Sequence, residues 1–227
     1  MASDKHMVII GASGKLGRYL VEEALAKHYR VTAVCRARSV HKLDIWRGLI
    51  DVVPAASDDY VVLSRILPKA DVVITVLVPW GVSGYAQGTV ETVLNFSKVG
   101  ARLLFSCGWH IQFDERDQHC PRQTLLIHWL AKVMRWLRIA DLQDQVEAVN
   151  RIFASSHAWT VVRASDLEEG ESEGMPNSAE YVGAPCIAHN RLRRVDFAKF
   201  LLHAVDQAHW VQRAPAIAGH RLAPEPC

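Results

Sequence analysis

The sequence predicts an α/β fold in which a doubly wound parallel sheet carries a small lobe in its C-terminal part. Three observations support this prediction: apolar β-branched runs alternate with helical patterns, the runs are continuously apolar, and a glycine-rich turn separates the first run from the first helix. Continuous rather than alternating apolar runs indicate strands covered on both faces. Helices between successive strands then require right-handed crossovers, which produce a parallel sheet.

The predicted strands are short and rich in valine and isoleucine, residues that favour β-structure. The first reads M-V-I-I, and the fourth, D-V-V-I-T-V-L-V, is the strongest in the chain. The complete set comprises residues 7–10, 31–35, 49–53, 71–78, 101–106 and 158–163.

The predicted helices follow from apolar residues recurring at helical spacing. Residues 15–27 form the first, residues 57–67 form a short one that begins on serine and aspartate, and residues 85–98 form the third. Residues 168–178 are acidic and rich in glycine and serine, and we expect a loop there. This loop follows the sixth strand at the carboxyl edge of the sheet, where loops cover ligands in this architecture.

Length and composition indicate an ordinary globular protein. The 227 residues are expected to form a single domain, and a formal net charge of +2 does not point to nucleic acid or an anionic membrane. No apolar run approaches the ~18 residues of a transmembrane helix. Residues 1–6 lack the apolar core of a signal peptide, and we expect them to be vector-derived. The five cysteines are scattered, which indicates reduced thiols in a cytoplasmic protein and no metal site.

A glycine motif lies between the first strand and the first helix. Residues 9–17 read I-I-G-A-S-G-K-L-G, with glycines at Gly11, Gly14 and Gly17. In such a turn the first glycine permits a tight bend, the second lets a pyrophosphate approach the backbone, and the third lets the helix pack close to the strand. The helix offers its N–H groups and positive dipole end to the anion. The motif therefore predicts a dinucleotide site, the alternative being a glycine turn without a ligand.

The residues after the second strand indicate which dinucleotide is bound. An acidic residue there holds the free 2′-hydroxyl of NAD(H), whereas arginine accommodates the 2′-phosphate of NADP(H). The chain reads Cys35-Arg36-Ala37-Arg38, without an acid. Guanidinium groups match phosphate in geometry and charge, so Arg36 and Arg38 favour NADP(H). The alternative for each arginine is that it merely faces solvent.

Together with C-R-A-R after the second strand and W-T-V-V-R-A-S-D-L late in the chain, the glycine motif resembles the atypical short-chain dehydrogenase/reductases. The resemblance covers nearly the full length and is greatest to the NmrA-like and biliverdin-IXβ-reductase/flavin-reductase-like group. It implies a Rossmann-type domain whose substrate lobe comes mainly from residues 109–138 and 164–195. It also implies that Asp196 caps the start of a late helix.

The same resemblance implies a set of cofactor contacts. Gly11 to Gly17 would hold the pyrophosphate, with Ser13, Lys15 and Leu16 supplying loop contacts. Arg36 and Arg38 would take the 2′-phosphate. Leu77 and Val78 would line the adenosine or ribose side, and Ser106, Cys107 and Gly108 would border the nicotinamide.

Two departures from the family pattern bear on the chemistry. Relatives commonly carry Gly-Asp after the third strand, whose aspartate meets the adenine, but residues 53–58 read V-P-A-A-S-D. The Tyr-x-x-x-Lys pair of ordinary short-chain reductases is also absent, since Tyr85 is followed four residues later by Thr89. Without a lysine to lower the tyrosine pKa, a standard alcohol dehydrogenase mechanism is not expected.

Candidate reactive residues cluster after the fifth strand. Ser106 is the first candidate for a polar contact to substrate or to the carboxamide, and Trp109 offers a flat apolar face for a ring. His110 is a candidate proton donor. Each residue has a purely structural alternative, and for Cys107 packing is favoured.

Residues 122–138 predict a helix whose apolar residues cover most of its circumference. Such a helix must bury more than one face. It is expected to pack in the core and cover the cofactor, or else to form a homodimer interface, a contact for a protein partner, or a wall for an apolar substrate.

The sequence favours an NADPH-dependent reductase of a small planar conjugated molecule such as a flavin, a quinone or a tetrapyrrole. Such acceptors take hydride while solvent supplies the proton, so the missing Tyr/Lys pair is not an obstacle. The alternative is a non-catalytic NADP(H) sensor that acts through a protein partner, as the NmrA resemblance suggests. An epimerase or isomerase is a third option, for which we find no convincing proton-transfer pair.

Overall fold

A computed structural model describes residues 5–76, 85–117, 142–164, 166–187 and 191–220. Within these ranges, an eight-stranded sheet has the order β3-β2-β1-β4-β5-β6-β10-β8, and β7 and β9 form a separate parallel pair. All pairings in the large sheet are parallel except that of β10 with β8. The strands are β1 His6–Ile10, β2 Arg30–Cys35, β3 Asp51–Pro54, β4 Val72–Thr75, β5 Arg102–Gly108, β6 Ala158–Ala164, β7 Asp166–Glu168, β8 Asn177–Ala179, β9 Arg191–Arg193 and β10 Ala216–Ala218.

The connecting helices lie on both faces of this sheet. They are α1 Lys15–Ala26, α2 Tyr60–Ile66, α3 Tyr85–Phe96, α4 Leu142–Phe153 and α5 Arg194–Val205, with 3₁₀ turns at Ala37–Trp46, Leu67–Lys69, Pro185–Ile187 and Ala208–Trp210. None of the helices in the described ranges is long and apolar enough to span a bilayer.

Each face of the sheet has its own hydrophobic core. On one face, Ile9 and Ile74 pack with residues of α1 and α5. On the other, Val8 and Val73 pack with residues of α2, α3 and α4. Because successive side chains of a strand point to opposite faces, this arrangement requires continuously apolar strands. The predicted doubly wound sheet is therefore confirmed.

The strand order places the candidate residues at one edge. The chain runs outward from β1 to β2 and β3, then returns across the sheet to β4, so the direction of winding reverses between β1 and β4. In open parallel sheets, ligands bind at the carboxyl ends of strands beside such a switch point. The glycine loop, Arg36 and Gly108 each follow or end a strand at this edge.

The structure differs from the sequence-based expectations in several local features. Residues 37–46 form 3₁₀ turns and β10 adds a strand, neither of which the sequence predicted. The expected loop over residues 168–178 includes the end of β7 and part of β8. The predicted apolar helix over residues 122–138 lies outside the described residues.

The expectation that Asp196 caps a late helix is wrong in detail. The helix, α5, begins earlier, with Arg193 at its N-cap and no side-chain cap. Asp196 lies in the first turn, where its carboxylate accepts hydrogen bonds from Ser172 Oγ and from the Glu173 N–H. It therefore fixes the preceding segment instead of its own helix.

Candidate functional site

The glycine loop is tied to the end of β2. Gly11 adopts a φ of 89°, a left-handed conformation that favours glycine. The N–H groups of Gly11 and Ala12 both donate to the Val34 carbonyl, at 3.0 and 3.2 Å. The turn is therefore sharp, and α1 starts beside the carboxyl ends of β1 and β2.

Gly17 allows the close approach of α1 to this loop. A Cβ atom at position 17 would lie 2.3 Å from the Gly11 carbonyl oxygen and 2.7 Å from that of Ala12. Both atoms belong to the backbone and cannot rotate away. This is the close packing that the motif predicts for its third glycine.

The amino end of α1 has the character of an anion site. Gly14 is the N-cap in an extended conformation, and no side-chain cap or acidic residue occupies the first turn. The helix dipole is thus left without an acidic partner in that turn, which favours an anionic ligand. A Cβ at Gly14 would lie 3.2 Å from the Gly11 oxygen, a tight but less severe contact than at Gly17.

The remaining predicted loop residues have different surroundings. Ser13 is half-buried and its hydroxyl meets the thiol of Cys35, whose pKa is raised by burial although the Ser13 hydrogen bond lowers it. Lys15 is exposed, with Nζ 3.8 Å from Oε1 of Glu169. Leu16 packs its side chain into the core, so only its backbone is available to a ligand.

Arg36 and Arg38 are exposed directly after β2, and Arg36 is the N-cap of the 3₁₀ turns. His41 and Lys42 follow on the same segment and are also exposed. The chain has no acidic residue between Cys35 and Asp44. The segment from Arg36 to Leu43 therefore carries a net positive charge.

The segment after β3 does not contain the Gly-Asp pair that the family resemblance implies for adenine contact. Ala55 is buried there and donates its N–H to the Cys35 carbonyl. Asp58 is exposed and lies close to Gly88. A Cβ atom added to Gly88 would be 3.2 Å from the Cβ of Asp58. Leu77 and Val78, predicted to line the adenosine or ribose side, lie outside the described residues.

Ser106 and Gly108 lie at the carboxyl end of β5, and His110 follows in the turn after it. Ser106 is half-buried. Its neighbours in the strand, Phe105 and Cys107, point to the face of the sheet that α2, α3 and α4 cover. Because successive side chains of a strand point to opposite faces, Ser106 points to the face that α1 covers. A Cβ on Gly108 would lie 2.5 Å from Nδ1 of His110, which shows that the imidazole lies against the Gly108 backbone. Burial raises the pKa of the Cys107 thiol to about 12, which favours packing as its role.

Sequence reasoning missed the buried ion pair beneath this end of β5. Nη1 of Arg163 lies 2.6 Å from Oδ2 of Asp117, and both side chains are fully buried. Arg163 also donates to the carbonyls of Ala214, Ile111 and Glu180. The only sequence signal for this ion pair was an arginine in the predicted strand A-W-T-V-V-R, whose other residues are apolar or threonine.

Asp117 completes this network from the other side. Its carboxylate accepts hydrogen bonds from the N–H groups of Phe113, Asp114 and Val182. Burial alone would raise the pKa of Asp117, but the bonds from Arg163 and these amides hold it below its ordinary value. The network fixes the turn that carries Trp109, whose indole Nε1 donates to the Arg163 carbonyl at 3.1 Å.

Comparisons with solved structures confirm the fold. ChuY, an anaerobilin reductase from Escherichia coli O157:H7, superposes with a TM-score of 0.72 at 17% identity, covering 97% of this chain and 100% of that one. A Lactobacillus casei protein gives 0.74 at 17% identity, covering 95% and 100%. A short-chain dehydrogenase/reductase from Veillonella parvula, in complex with NADP, gives 0.69 at 17% identity, covering 97% and 98%.

No curated protein sequence matches this chain significantly. Residues 11–208 match a family described as NAD(P)H-binding, a range that begins at the first glycine of the motif and ends beyond α5. This match confirms the NAD(P)H-binding family that the resemblance implies, and the structural neighbours share the fold of the chain. The chain therefore belongs to the NAD(P)H-binding family.

Proposed function

We propose that the protein is an NADPH-dependent oxidoreductase that reduces a small planar conjugated acceptor, such as a flavin, a quinone or a tetrapyrrole. The observation that carries the cofactor choice is the pair of exposed arginines after β2, Arg36 and Arg38, together with a first turn of α1 that contains no acidic residue. The pyrophosphate of NADPH would then lie at the positive end of the α1 dipole. Its 2′-phosphate would lie beside the guanidinium groups of the two arginines.

The acceptor would lie at the carboxyl end of β5, next to a bound dinucleotide whose chemistry would be hydride donation from the nicotinamide. Ser106 would hydrogen-bond the carboxamide or the acceptor, and the half-buried Trp109 would offer an apolar face to its ring. His110, held against Gly108, would supply a proton at this edge. ChuY, with the same fold, is an anaerobilin reductase, which supports a conjugated acceptor.

Cofactor titration tests the first part of this proposal. Wild-type protein should bind NADPH more tightly than NADH, and Arg36→Ala should reduce this discrimination by about 1–3 kcal/mol, the range of charge-assisted phosphate contacts. Arg47→Ala, which removes an exposed arginine paired with Asp44, is the matched control. Equal wild-type affinities for the two dinucleotides would contradict the choice of NADPH.

An acceptor screen tests the second part and separates it from the sensor alternative. Consumption of NADPH should be followed at 340 nm with flavins, quinones and linear tetrapyrroles as acceptors. Tight NADP(H) binding without turnover on any of them would instead support a redox sensor, which the absence of a Tyr-x-x-x-Lys pair also favours. In that case, residues 122–138 are the proposed contact for a protein partner or a second copy.

A further inference from the structure

An acidic segment is held beside the dinucleotide site by the start of α5. We call residues 168–174 the acidic strap. Arg193 donates to the carboxylates of Glu168 and Glu173, both at 3.1 Å, and to the Glu169 carbonyl at 2.7 Å. Gly170 adopts a φ of 145° directly against Arg193, where a Cβ would lie 2.8 Å from Nη1. One arginine therefore gathers three residues of the strap.

Asp196 and Lys199, both in α5, hold the other half of the strap. The Asp196 carboxylate accepts hydrogen bonds from Ser172 Oγ at 2.5 Å and from the Glu173 N–H at 2.8 Å. Lys199 donates to the same Ser172 hydroxyl at 2.7 Å. Asp196 is itself buried, so its carboxylate is an anchor of defined position. The strap is thus a built part of the fold.

Glu169 extends from this strap to α1. Its carboxylate accepts a hydrogen bond from the Tyr19 hydroxyl at 3.2 Å and from Arg194 at 3.0 Å. Oε1 of the same carboxylate lies 3.8 Å from Nζ of Lys15. Burial and the contact with Glu169 together raise the pKa of Tyr19, which agrees with a negative charge at this position. A carboxylate therefore occupies a cationic corner next to the amino end of α1.

We propose that Glu169 is an affinity-determining residue of the dinucleotide site, because its carboxylate competes with a dinucleotide phosphate for Lys15. This inference rests on the proposed binding of NADP(H) at α1. The Lys15 and Glu169 side chains are 66% and 50% exposed, so their ion pair is weak and can exchange. Because Arg194 also holds Glu169, the carboxylate stays beside Lys15, and Lys15 must give up this ion pair before it contacts the phosphate, which weakens dinucleotide binding.

A double-mutant cycle measures this competition. Glu169→Gln removes the charge and retains the length of the side chain, and Lys15→Met removes the ammonium. NADPH affinity is measured by titration for the wild type, both single variants and the double variant at low ionic strength. Glu171→Gln, in the same exposed strap, is the matched control for a loss of negative charge.

Glu169→Gln should tighten NADPH binding about two- to fivefold, the range expected for an exposed charge pair. The gain should fall below about twofold in the Lys15→Met background and in 0.5 M salt, which screens exposed charges. Glu171→Gln should change the affinity less than Glu169→Gln does.

Unchanged or weaker binding by Glu169→Gln would overturn the inference. So would an equal gain in the Lys15→Met background or in Glu171→Gln, because either would indicate only a general effect of charge. Absence of NADPH binding in the wild type would overturn the proposed function as well. The two failures are therefore distinguishable in one set of titrations.

Discussion

Arg163 and Asp117 form an ion pair of 2.6 Å whose side chains are both fully buried. The pair joins β6 to the turn after β5, to residues 180–182 and to Ala214, just before β10, through hydrogen bonds to the backbone. All of these segments meet near the carboxyl edge of the sheet. The pair thus positions the wall of the proposed acceptor site without belonging to the reacting groups.

Asp117→Ala should destabilise the protein by about 3–5 kcal/mol, because it leaves the Arg163 guanidinium buried without its counter-ion. Asp44→Ala, which removes the partner of the exposed Arg47, should cost no more than about 1 kcal/mol. Urea unfolding followed by tryptophan fluorescence measures both changes. Similar losses in the two variants would show that the buried pair has no special role.

Acid should weaken this network in a defined direction. The pKa of Asp117 is lowered in the folded protein, so its contribution to stability is fully present above the unfolded value of about 3.9 and is lost as pH falls towards the folded value. The unfolding free energy of the wild type should therefore fall more steeply between about pH 5 and pH 3 than that of Asp117→Asn. Parallel pH profiles would contradict this assignment.

The packing function of the third glycine, Gly17, can be separated from the pyrophosphate contact of the second, Gly14. Gly17→Ala forces a Cβ to 2.3 Å from a backbone oxygen and should destabilise the protein by about 1–3 kcal/mol or more. Gly14→Ala meets the same oxygen at 3.2 Å and should affect stability less while weakening NADPH binding. Thermal unfolding and NADPH titration of both variants test this, and a reversed order of stability would contradict it.

Gly108 should act through His110. A Cβ at position 108 would lie 2.5 Å from Nδ1 of the imidazole, which can rotate away, so Gly108→Ala should displace the ring at a cost below about 1 kcal/mol. If His110 supplies a proton, Gly108→Ala and His110→Ala should lower the rate of acceptor reduction similarly. The double variant should then be no slower than either single one, and additive losses would exclude this coupling.

Thiol reactivity should follow burial. The pKa of about 12 keeps the Cys107 thiol protonated, and Cys35 is buried with a raised pKa, whereas Cys186 is exposed. Iodoacetamide at pH 8 should therefore modify Cys186 in the folded protein well before Cys35 and Cys107. Peptide mass spectrometry reads each site, and unfolding in urea should abolish the difference. Early labelling of Cys107 in the folded protein would contradict the buried environment.

The sequence by itself determined the features that depend on neighbouring residues. Continuous apolar runs predicted the central strands because a parallel sheet buries both of its faces. The glycine spacing predicted the sharp turn at Gly11 and the close packing at Gly17, since both needs arise within a few residues of chain. The positive charge at Arg36 and Arg38 could be predicted in the same way, because both residues directly follow the second strand.

Only the tertiary structure decided which distant residues meet. Asp117 faces Arg163 across 46 positions and Glu169 reaches Tyr19 across 150, so no local periodicity encodes either contact. The same holds for β10, which is short and takes its place by pairing with β6 and β8. Asp196 shows the physical reason most clearly: a carboxylate in the first turn of a helix suits that helix's own amides, and here the folded strap supplies other donors for it.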